Sequence, residues 1–440
     1  MKLQIKMVDV YTTLIFGLNM GICTWYLVLA SLLDAEFEKR KLEPYLYGYI
    51  IGIYSLSSLA WGFCVPWLIH KFGRSKILKT EIIFLSITVW CMGMITYIKD
   101  NTMMIIVTLF LRASQGFFRV FVQVPSFSII TIVHTDDRYK YLGIMESVMN
   151  FGSGIGPVIG SILYIFFGYF YMFIIMGLSF FIYLPLMIIF HPPNIDEDNE
   201  ETTSLNNQGS SSDSNQDISI LHLLSNSLVQ LLWIAWLMTL FAFSYYEPVL
   251  SFRISEFVDS VSINGLVFSC ILIGYAITAV FVQCFTKYIS PITMISFGLF
   301  FWGISNFMIG PSVLLPNNLI LIAFGLFSSG SSMTFAIVPQ LPTMLKYAES
   351  TYVTQKRKAW DMWSIIFNFT YSFGQFLGPI YGGFATYIID YRSWCDIVGI
   401  SMILYSVIFY ILCHRYYQPL ISEEKKADGL SKSNSQDSML

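Results

Sequence analysis

Five ionisable residues lie in or beside long apolar runs, where a charge is costly: Arg112, Arg119, Glu146, Glu247 and Asp361. Ionisable groups in such runs are functional candidates by default. A carboxylate removed from water holds a proton nearer neutral pH, whereas an arginine there must face a wet cavity or an acid. We therefore expect Glu146 and Asp361 to carry protons or a cation in a central cavity, with Glu247 a third candidate near the outer end.

The acids also have a structural interpretation. Glu146 and Asp361 lie one to two helical turns from the ends of their runs. At that depth each can instead close a gate by pairing with a nearby base. The partners available for such a gate are Arg74, Arg138 and Lys358.

The two arginines share a helix face with further polar residues. Arg112, Gln115, Gly116, Arg119 and Gln123 follow the spacing i, i+3, i+4, i+7 and i+11. Side chains at this spacing point to one side of a helix. We expect this side to face a wet cavity, although Arg112 alone could also extend its charge to the nearer membrane surface.

Amides and aromatic rings accompany the acids. Asn150 follows Glu146 by one turn, and Asn368 stands 222 positions after Glu146. Tyr246 and Trp363 could stack on an organic cation, because a ring face attracts positive charge. With 17% aromatic residues in the chain, packing against other helices or location at the membrane interface is the alternative explanation for such rings.

The sequence contains no recognisable catalytic or metal-binding motif. The five histidines fall outside mid-membrane positions, and we find no metal-ligand spacing, phosphate-binding loop or nucleophile–histidine pair. The sequence therefore predicts no enzyme, cofactor or metal site.

A spacing of glycine and proline occurs twice in the sequence. Gly152, Gly156, Pro157 and Gly160 recur 222 positions later as Gly374, Gly378, Pro379 and Gly382. Gly116 precedes Pro125 by nine residues, and Gly330 precedes Pro339 by nine. The two matches in register indicate a duplicated unit. The alternative is that small residues recur in any seam between packed helices.

Long helices must position these residues. Of the 440 residues, 55% are hydrophobic and 12% are charged, which indicates a membrane protein. The apolar runs are unbroken rather than alternating, so the sequence predicts an all-α polytopic membrane protein with twelve transmembrane helices in two pseudo-symmetric six-helix bundles. The predicted spans are 10–33, 45–69, 78–98, 103–133, 141–166, 169–190, 228–251, 262–285, 290–310, 317–342, 359–388 and 393–414.

Polar segments divide the chain. We expect an N-terminal bundle over 1–190, a partly disordered cytosolic linker over 191–227, a C-terminal bundle over 228–414 and a disordered cytosolic tail over 415–440. Residues 218–226 could form a short interfacial helix. With both termini in the cytosol, seventeen Lys and Arg residues fall inside, six fall outside and two lie within a span. This bias predicts both termini inside.

A basic loop and the arginine helix carry a family resemblance. The loop His70–Leu78 contains Lys71, Gly73, Arg74 and Lys76, and is similar to the loop motif of the major facilitator superfamily. Pro66 and His70 stand where that motif usually has Gly and Asp, which questions the usual charge relay of this loop. The run from Arg112 to Gly116 resembles the R-x-x-Q-G motif of the drug:proton antiporter branch.

The first glycine seam resembles the antiporter motif of the same branch. In that family the seam is linked to the antiport cycle; the alternative is packing without a directional role. The run Gly48–Leu56, Glu146 with the stretch after Pro157, and Asp361 before the second seam look like the vesicular amine and polyamine transporter branch. The resemblance covers most of the first six spans and the eleventh.

The resemblance implies a secondary active transporter working by alternating access. We expect proton-coupled antiport of an organic cation or amine. Transport of an organic anion or neutral solute through Arg112 and Arg119, and a non-transporting receptor or scaffold, are the alternatives. The expected partners are a small-molecule solute, protons and the lipid bilayer, without nucleic acid, for a monomer in the plasma membrane or an intracellular vesicle membrane.

Overall fold

The computed structural model describes residues 2–40, 42, 44–134, 138–192, 226–258, 260–285, 288–340, 343–344 and 356–437. Within these ranges we number thirteen α-helices in chain order. They are α1 (Lys2–Lys39), α2 (Pro44–Gly62), α3 (Val65–Phe72), α4 (Arg74–Gly93), α5 (Asn101–Val133), α6 (Arg138–Ile189), α7 (Ser227–Ser244), α8 (Leu250–Ser255), α9 (Val261–Phe285), α10 (Pro291–Ile309), α11 (Leu319–Ile337), α12 (Lys356–Ile388) and α13 (Tyr391–Asp437). A 3₁₀ helix spans Met94–Tyr97.

The all-α prediction is confirmed. Across the described ranges, eight helices are long and apolar enough to cross a membrane, and the shorter apolar helix Ile263–Ala279 accompanies them. Asp100, Ser290 and Asn318 cap α5, α10 and α11 by accepting a hydrogen bond from the backbone N–H three residues on. The range α6 consists of two helical segments that match two predicted spans, because Gly168 between them adopts a non-helical φ of 73° and bends the chain.

Two predicted span boundaries are wrong. The span 45–69 is interrupted after Gly62, and α3 follows as a separate helix that begins with Pro66 in its first turn. The span 228–251 is interrupted after Ser244, because Pro248 cannot donate a helical hydrogen bond and disfavours helical geometry at the residue before it. Helix α13 continues past the last predicted span to Asp437, and strong helix formers fill Glu423–Ala427. Disorder of the segment 415–440 stays a prediction.

The chain forms two compact units. The first comprises Met1–Asn215, Phe243–Ile273 and Gln375–Tyr391, and the second comprises Gln216–Ala242, Gly274–Gly374 and Arg392–Leu440. In the first unit α1 packs on α6, α2 on α5, and α4 on both α5 and α6. In the second unit α10 packs on α11. The division at the linker stays a prediction, as does the short helix at 218–226, which lies outside the described residues.

Candidate functional site

A buried polar cluster lies inside the first unit, where α1, α2 and α5 meet the turn between α7 and α8. The turn begins at Tyr245 and is closed by backbone hydrogen bonds from Glu247 to Ser244 and from Leu250 to Tyr246, with N–O distances of 3.3 and 2.8 Å. Because Pro248 ends α7, the side chains of Tyr246 and Glu247 leave the helical track and enter the protein interior. They are 2% and 1% exposed.

Glu247 is held by one phenol. The hydroxyl of Tyr26 on α1 donates a hydrogen bond to Oε2 of Glu247 at 2.9 Å. Among the described residues, no group donates to the other oxygen, Oε1, although it is buried. The hydroxyl of Tyr246 is likewise buried without a partner in the described part of the chain. Glu247 is therefore a carboxylate with one oxygen available for a ligand.

Arg112 is fully buried and surrounded by rings. Its guanidinium carbon lies 4.4 Å from the ring centre of Tyr54, 5.4 Å from that of Tyr26 and 5.8 Å from that of Trp25. A guanidinium within about 6 Å of a ring face is attracted to it. We call the rings of Trp25, Tyr26 and Tyr54 the aromatic cage.

Polar contacts of Arg112 are long. Its Nε donates to the carbonyl oxygen of Ile50 at 3.3 Å, and Nη1 donates to Oε1 of Gln115 at 3.5 Å. Within the described chain Nη2 has no hydrogen-bond partner. Glu247 and Arg112 attract each other electrostatically, but these two described side chains do not approach within the 4.0 Å of an ion pair. The buried charge is thus stabilised mainly by the aromatic cage.

The predicted arginine face is brought together. Gln115 is buried and donates to the carbonyl oxygen of Thr88 on α4 at 3.2 Å. Arg119 is 7% exposed, and its guanidinium carbon lies 5.6 Å from the ring centre of Tyr54. Both arginines therefore face the same tyrosine from positions two turns apart on α5.

Of the remaining candidates, only Asn150 has a described side chain. Asn150 is exposed on α6. The backbones of Glu146, Asp361, Trp363 and Asn368 lie in α6 and α12, but their side chains lie outside the described residues. In the part of the chain that is described, no group of three or more His, Cys, Asp or Glu residues is arranged to hold a metal.

The glycine seams pack against equivalent helices. Beta carbons at Gly152, Gly156 and Gly160 would meet Met20, Thr24 and Val28 of α1. Beta carbons at Gly374, Gly378 and Gly382 would meet Leu240, Ser244 and Tyr245 at the end of α7. The hydroxyl of Thr24 also donates to the carbonyl oxygen of Gly152 at 2.9 Å. The seams therefore allow close backbone packing at matched positions of the two halves.

The two seam prolines also make matched contacts inside the first unit. A beta carbon at Gly265 on α9 would lie 2.7 Å from the carbonyl oxygen of Pro157. A beta carbon at Gly48 on α2 would collide with the carbonyl oxygen of Pro379. These helices correspond to the eighth and second predicted spans, so the internal repeat extends to contacts as well as spacing.

The basic loop turns at Gly73. This residue has a φ of 82°, a region that favours glycine, and it separates α3 from α4. Arg74 Nε donates to Ser128 Oγ on α5 at 2.8 Å. Lys71 and Lys76 are exposed, with the Lys71 amine 5.2 Å from the ring centre of Trp67. The side chain of His70 lies outside the described residues.

The spacing of polar residues in the sequence did not identify the three rings of the aromatic cage. Trp25, Tyr26 and Tyr54 look like ordinary aromatic packing residues in apolar runs, although Tyr54 lies in the Gly48–Leu56 run. Glu81 was detectable as an acid inside the predicted span 78–98. Its Oε2 is buried and accepts no hydrogen bond from the described residues.

Comparison with known sequences gives a consistent picture. The family model described as Major Facilitator Superfamily matches residues 10–257. The chain is 24% identical to the MFS-type transporter SLC18B1 of Homo sapiens over 410 residues, covering 90% of this chain and 85% of the relative. It is 24% identical to SLC18B1 of Mus musculus over 405 residues, covering 88% and 84%.

Solved structures share the fold. The crystal structure of tetrameric PepTSo2 superposes with a TM-score of 0.68 at 11% identity, covering 94% of this chain and 99% of that one. The nucleoside transporter NupG superposes with a TM-score of 0.65 at 13% identity, covering 92% and 98%. At such low identity these structures bear on the fold of this chain and not on its solute.

Proposed function

Because this chain belongs to the major facilitator superfamily, we propose that it exchanges an organic cation or amine for protons by alternating access. Family membership makes it a multi-pass membrane transporter of a small-molecule solute rather than an enzyme. The choice of solute and of coupling ion is our proposal. The observation that carries it is the buried carboxylate of Glu247, which has one oxygen unengaged beside the aromatic cage.

A cation suits this environment best. A buried carboxylate is stable when it is paired with a positive group or protonated. The hydroxyl of Tyr26 contacts Glu247, and the ring of the same tyrosine belongs to the aromatic cage. Aromatic faces attract organic cations. Two transported species, the amine and the proton, can therefore use the same carboxylate in turn, which is the minimal chemistry of an exchanger.

We propose that Glu146 and Asp361 hold further protons or cations along the pathway. Together with Glu247 they give three acids, against the two bases Arg112 and Arg119. Asn150 and Asn368 would line the same pathway, and Trp363 would stack on the passing cation. In this proposal the two glycine seams allow the helices to slide during the transport cycle.

The orientation and location are also proposed. The excess of Lys and Arg in alternate loops supports cytosolic termini. We propose a monomer in the plasma membrane or in an intracellular vesicle membrane.

Transport by the purified protein in vesicles tests the proposal. The vesicles carry an imposed pH gradient, and labelled amines, organic anions and sugars are screened. We expect gradient-driven movement of an amine, lost in Glu247→Gln. The matched control is Glu256→Gln, because Glu256 carries the same carboxylate, is 58% exposed and pairs with Arg253 outside the cluster.

The other possible results of this assay separate the alternative functions and the roles of the individual acids. Movement of anions alone would favour the arginine-based alternative, and movement of no solute would favour a receptor or scaffold. Amine transport that survives Glu247→Gln would contradict the role of Glu247. Coupled amine transport that survives Glu146→Gln and Asp361→Asn would remove these two residues as proton sites.

A further inference from the structure

The aromatic cage is already occupied by a cation that belongs to the protein. The Arg112 guanidinium lies 4.4 Å from the Tyr54 ring, and the rings of Tyr26 and Trp25 lie within 6 Å of it. Three rings around one cation is the arrangement by which proteins recognise organic cations. We propose that Arg112 is a tethered competitor, whose guanidinium occupies the place that the cationic group of the solute takes. This inference rests on the proposed function.

Weak polar contacts make Arg112 displaceable. A buried guanidinium is normally held by short or bidentate hydrogen bonds to an acid. Here the two hydrogen bonds measure 3.3 and 3.5 Å, and Nη2 has no partner among the described residues. The rings thus hold the guanidinium in the cage more than its hydrogen bonds do. The same rings would attract an incoming organic cation equally well.

The acid of the cluster is left for the incoming cation. Oε1 of Glu247 and the hydroxyl of Tyr246 are buried without a partner in the described chain, although Arg112 is near enough to attract the acid. A cation with N–H donors can engage the cage and Glu247 together, whereas Arg112 engages only the cage. A solute that makes both contacts therefore has an advantage over the tethered group.

The displaced side chain has a partner nearby. Nη1 of Arg112 already points to Gln115 at 3.5 Å, one turn along α5. When Arg112 is displaced from the cage, its hydrogen bond to Gln115 would shorten. That hydrogen bond would give the guanidinium a polar partner outside the cage. The site would then be closed to small cations unless they bind strongly enough to move Arg112.

Methylguanidinium tests the competition, because it copies the head group of Arg112, and neutral methylurea is its matched control. Binding to the full-length protein in lipid nanodiscs is measured by thermal stabilisation. We expect Arg112→Met to bind methylguanidinium about tenfold more tightly than the wild type, since the tethered occupant lowers the apparent affinity. Arg112→Lys, which keeps a cation, should resemble the wild type, and Glu247→Gln should reverse the gain.

Removing a positive charge near Glu247 could also raise the affinity without any displacement. Wild-type protein separates the two effects and does not depend on a variant that folds. When the arginines are labelled with nitrogen-15, each Nε–H gives an NMR signal, and ring currents from the aromatic cage set the signal of Arg112 apart from those of exposed arginines. We expect unlabelled methylguanidinium, but not methylurea, to move the Arg112 signal toward the position of an arginine outside the rings. An unmoved Arg112 signal at saturating methylguanidinium, or unchanged affinity in a folded Arg112→Met protein, would overturn the competition.

Failure of the competition between Arg112 and the solute can be distinguished from failure of the proposed transport function. Gradient-driven amine transport with no displacement of Arg112 would refute the competitor and leave the transporter proposal standing. Absence of any cation binding, together with absence of amine transport in the vesicle assay, would refute both.

Discussion

The hydroxyl of Tyr26 donates a hydrogen bond to Oε2 of Glu247 at 2.9 Å, although the two residues are 221 positions apart in the chain. Both side chains are buried, and no other described residue donates to Glu247. The same tyrosine ring belongs to the cage around Arg112. Tyr26 therefore contacts both opposite charges of the cluster.

Removing the Tyr26 hydroxyl should impair transport. Tyr26→Phe keeps the ring of the cage but leaves both oxygens of Glu247 without a partner. We expect a loss of about 1–3 kcal/mol in the free energy of unfolding, which is the usual cost of an unsatisfied buried polar group. We also expect altered amine transport, because the carboxylate would hold its proton or cation differently. Thermal unfolding and vesicle uptake measure the two effects.

Tyr405→Phe is the matched control. This substitution also removes a phenol that donates a hydrogen bond, here to the carbonyl oxygen of Leu231 at 2.5 Å in the second unit. We expect it to lower stability without changing the pH dependence of transport. Equal transport defects in both variants would mean that Tyr26 acts only through stability.

The first glycine seam should not tolerate a methyl group. A beta carbon at Gly156 would lie 2.5 Å from the carbonyl oxygen of Thr24, and backbone atoms cannot move aside easily. We expect Gly156→Ala to destabilise the protein by about 1–3 kcal/mol, as overpacking does. In Gly62→Ala the new methyl would meet Val120 at an ordinary 3.8 Å, so unfolding should be little changed. Equal unfolding temperatures for the two variants would contradict the close packing.

The matched proline contacts should behave alike. Gly265→Ala would bring a methyl group against the carbonyl oxygen of Pro157, and Gly48→Ala would bring one against that of Pro379. Because the two contacts occupy equivalent positions in the repeat, we expect both variants to lower the unfolding temperature and the rate of transport. A defect in only one of them would show that the halves are not equivalent here. Gly62→Ala again serves as the control.

Gly73 should be required by its backbone conformation. Its φ of 82° and ψ of 150° are rarely adopted by residues with a beta carbon. We expect Gly73→Ala to cost about 1–3 kcal/mol of stability, read as a lower unfolding temperature. Thr80→Ala, at an exposed position further along α4, leaves the backbone of the turn unstrained and is the control. An unchanged unfolding temperature for Gly73→Ala would mean that the turn relaxes.

The orientation can be tested with epitope tags. We expect a tag at either terminus to bind antibody only after the cells are permeabilised. A tag inserted after Leu314, which is 95% exposed between α10 and α11, should bind antibody on intact cells if the protein resides in the plasma membrane. For a vesicle membrane the same comparison is made by protease protection. Because the cytosolic face of such vesicles is their outer face, we expect added protease to remove the terminal tags and to spare the tag after Leu314. Protected termini in sealed vesicles would reverse the proposed topology.

Local features of the structure were predictable from the sequence. Helices in a bilayer must satisfy their own backbone hydrogen bonds, so long apolar runs indicate their number and approximate positions. The seam glycines were also readable, because close helix packing depends on residues that lack a beta carbon. The break after Ser244 could also have been read from Pro248, but the apolar run obscured it.

The cluster itself was decided by tertiary structure. The sequence identifies Arg112 and Glu247 as costly charges, and it places Arg119 and Gln115 on the Arg112 face. It does not show that Tyr26 holds Glu247, or that Trp25 and Tyr54 surround Arg112, because many apolar runs in this chain contain aromatic residues. Periodicity is a property of one helix, whereas these contacts depend on how α1, α2 and α5 pack and on where the turn at Pro248 directs Glu247. Thus the sequence determined which charges must be compensated, and only the packed structure decided which groups compensate them.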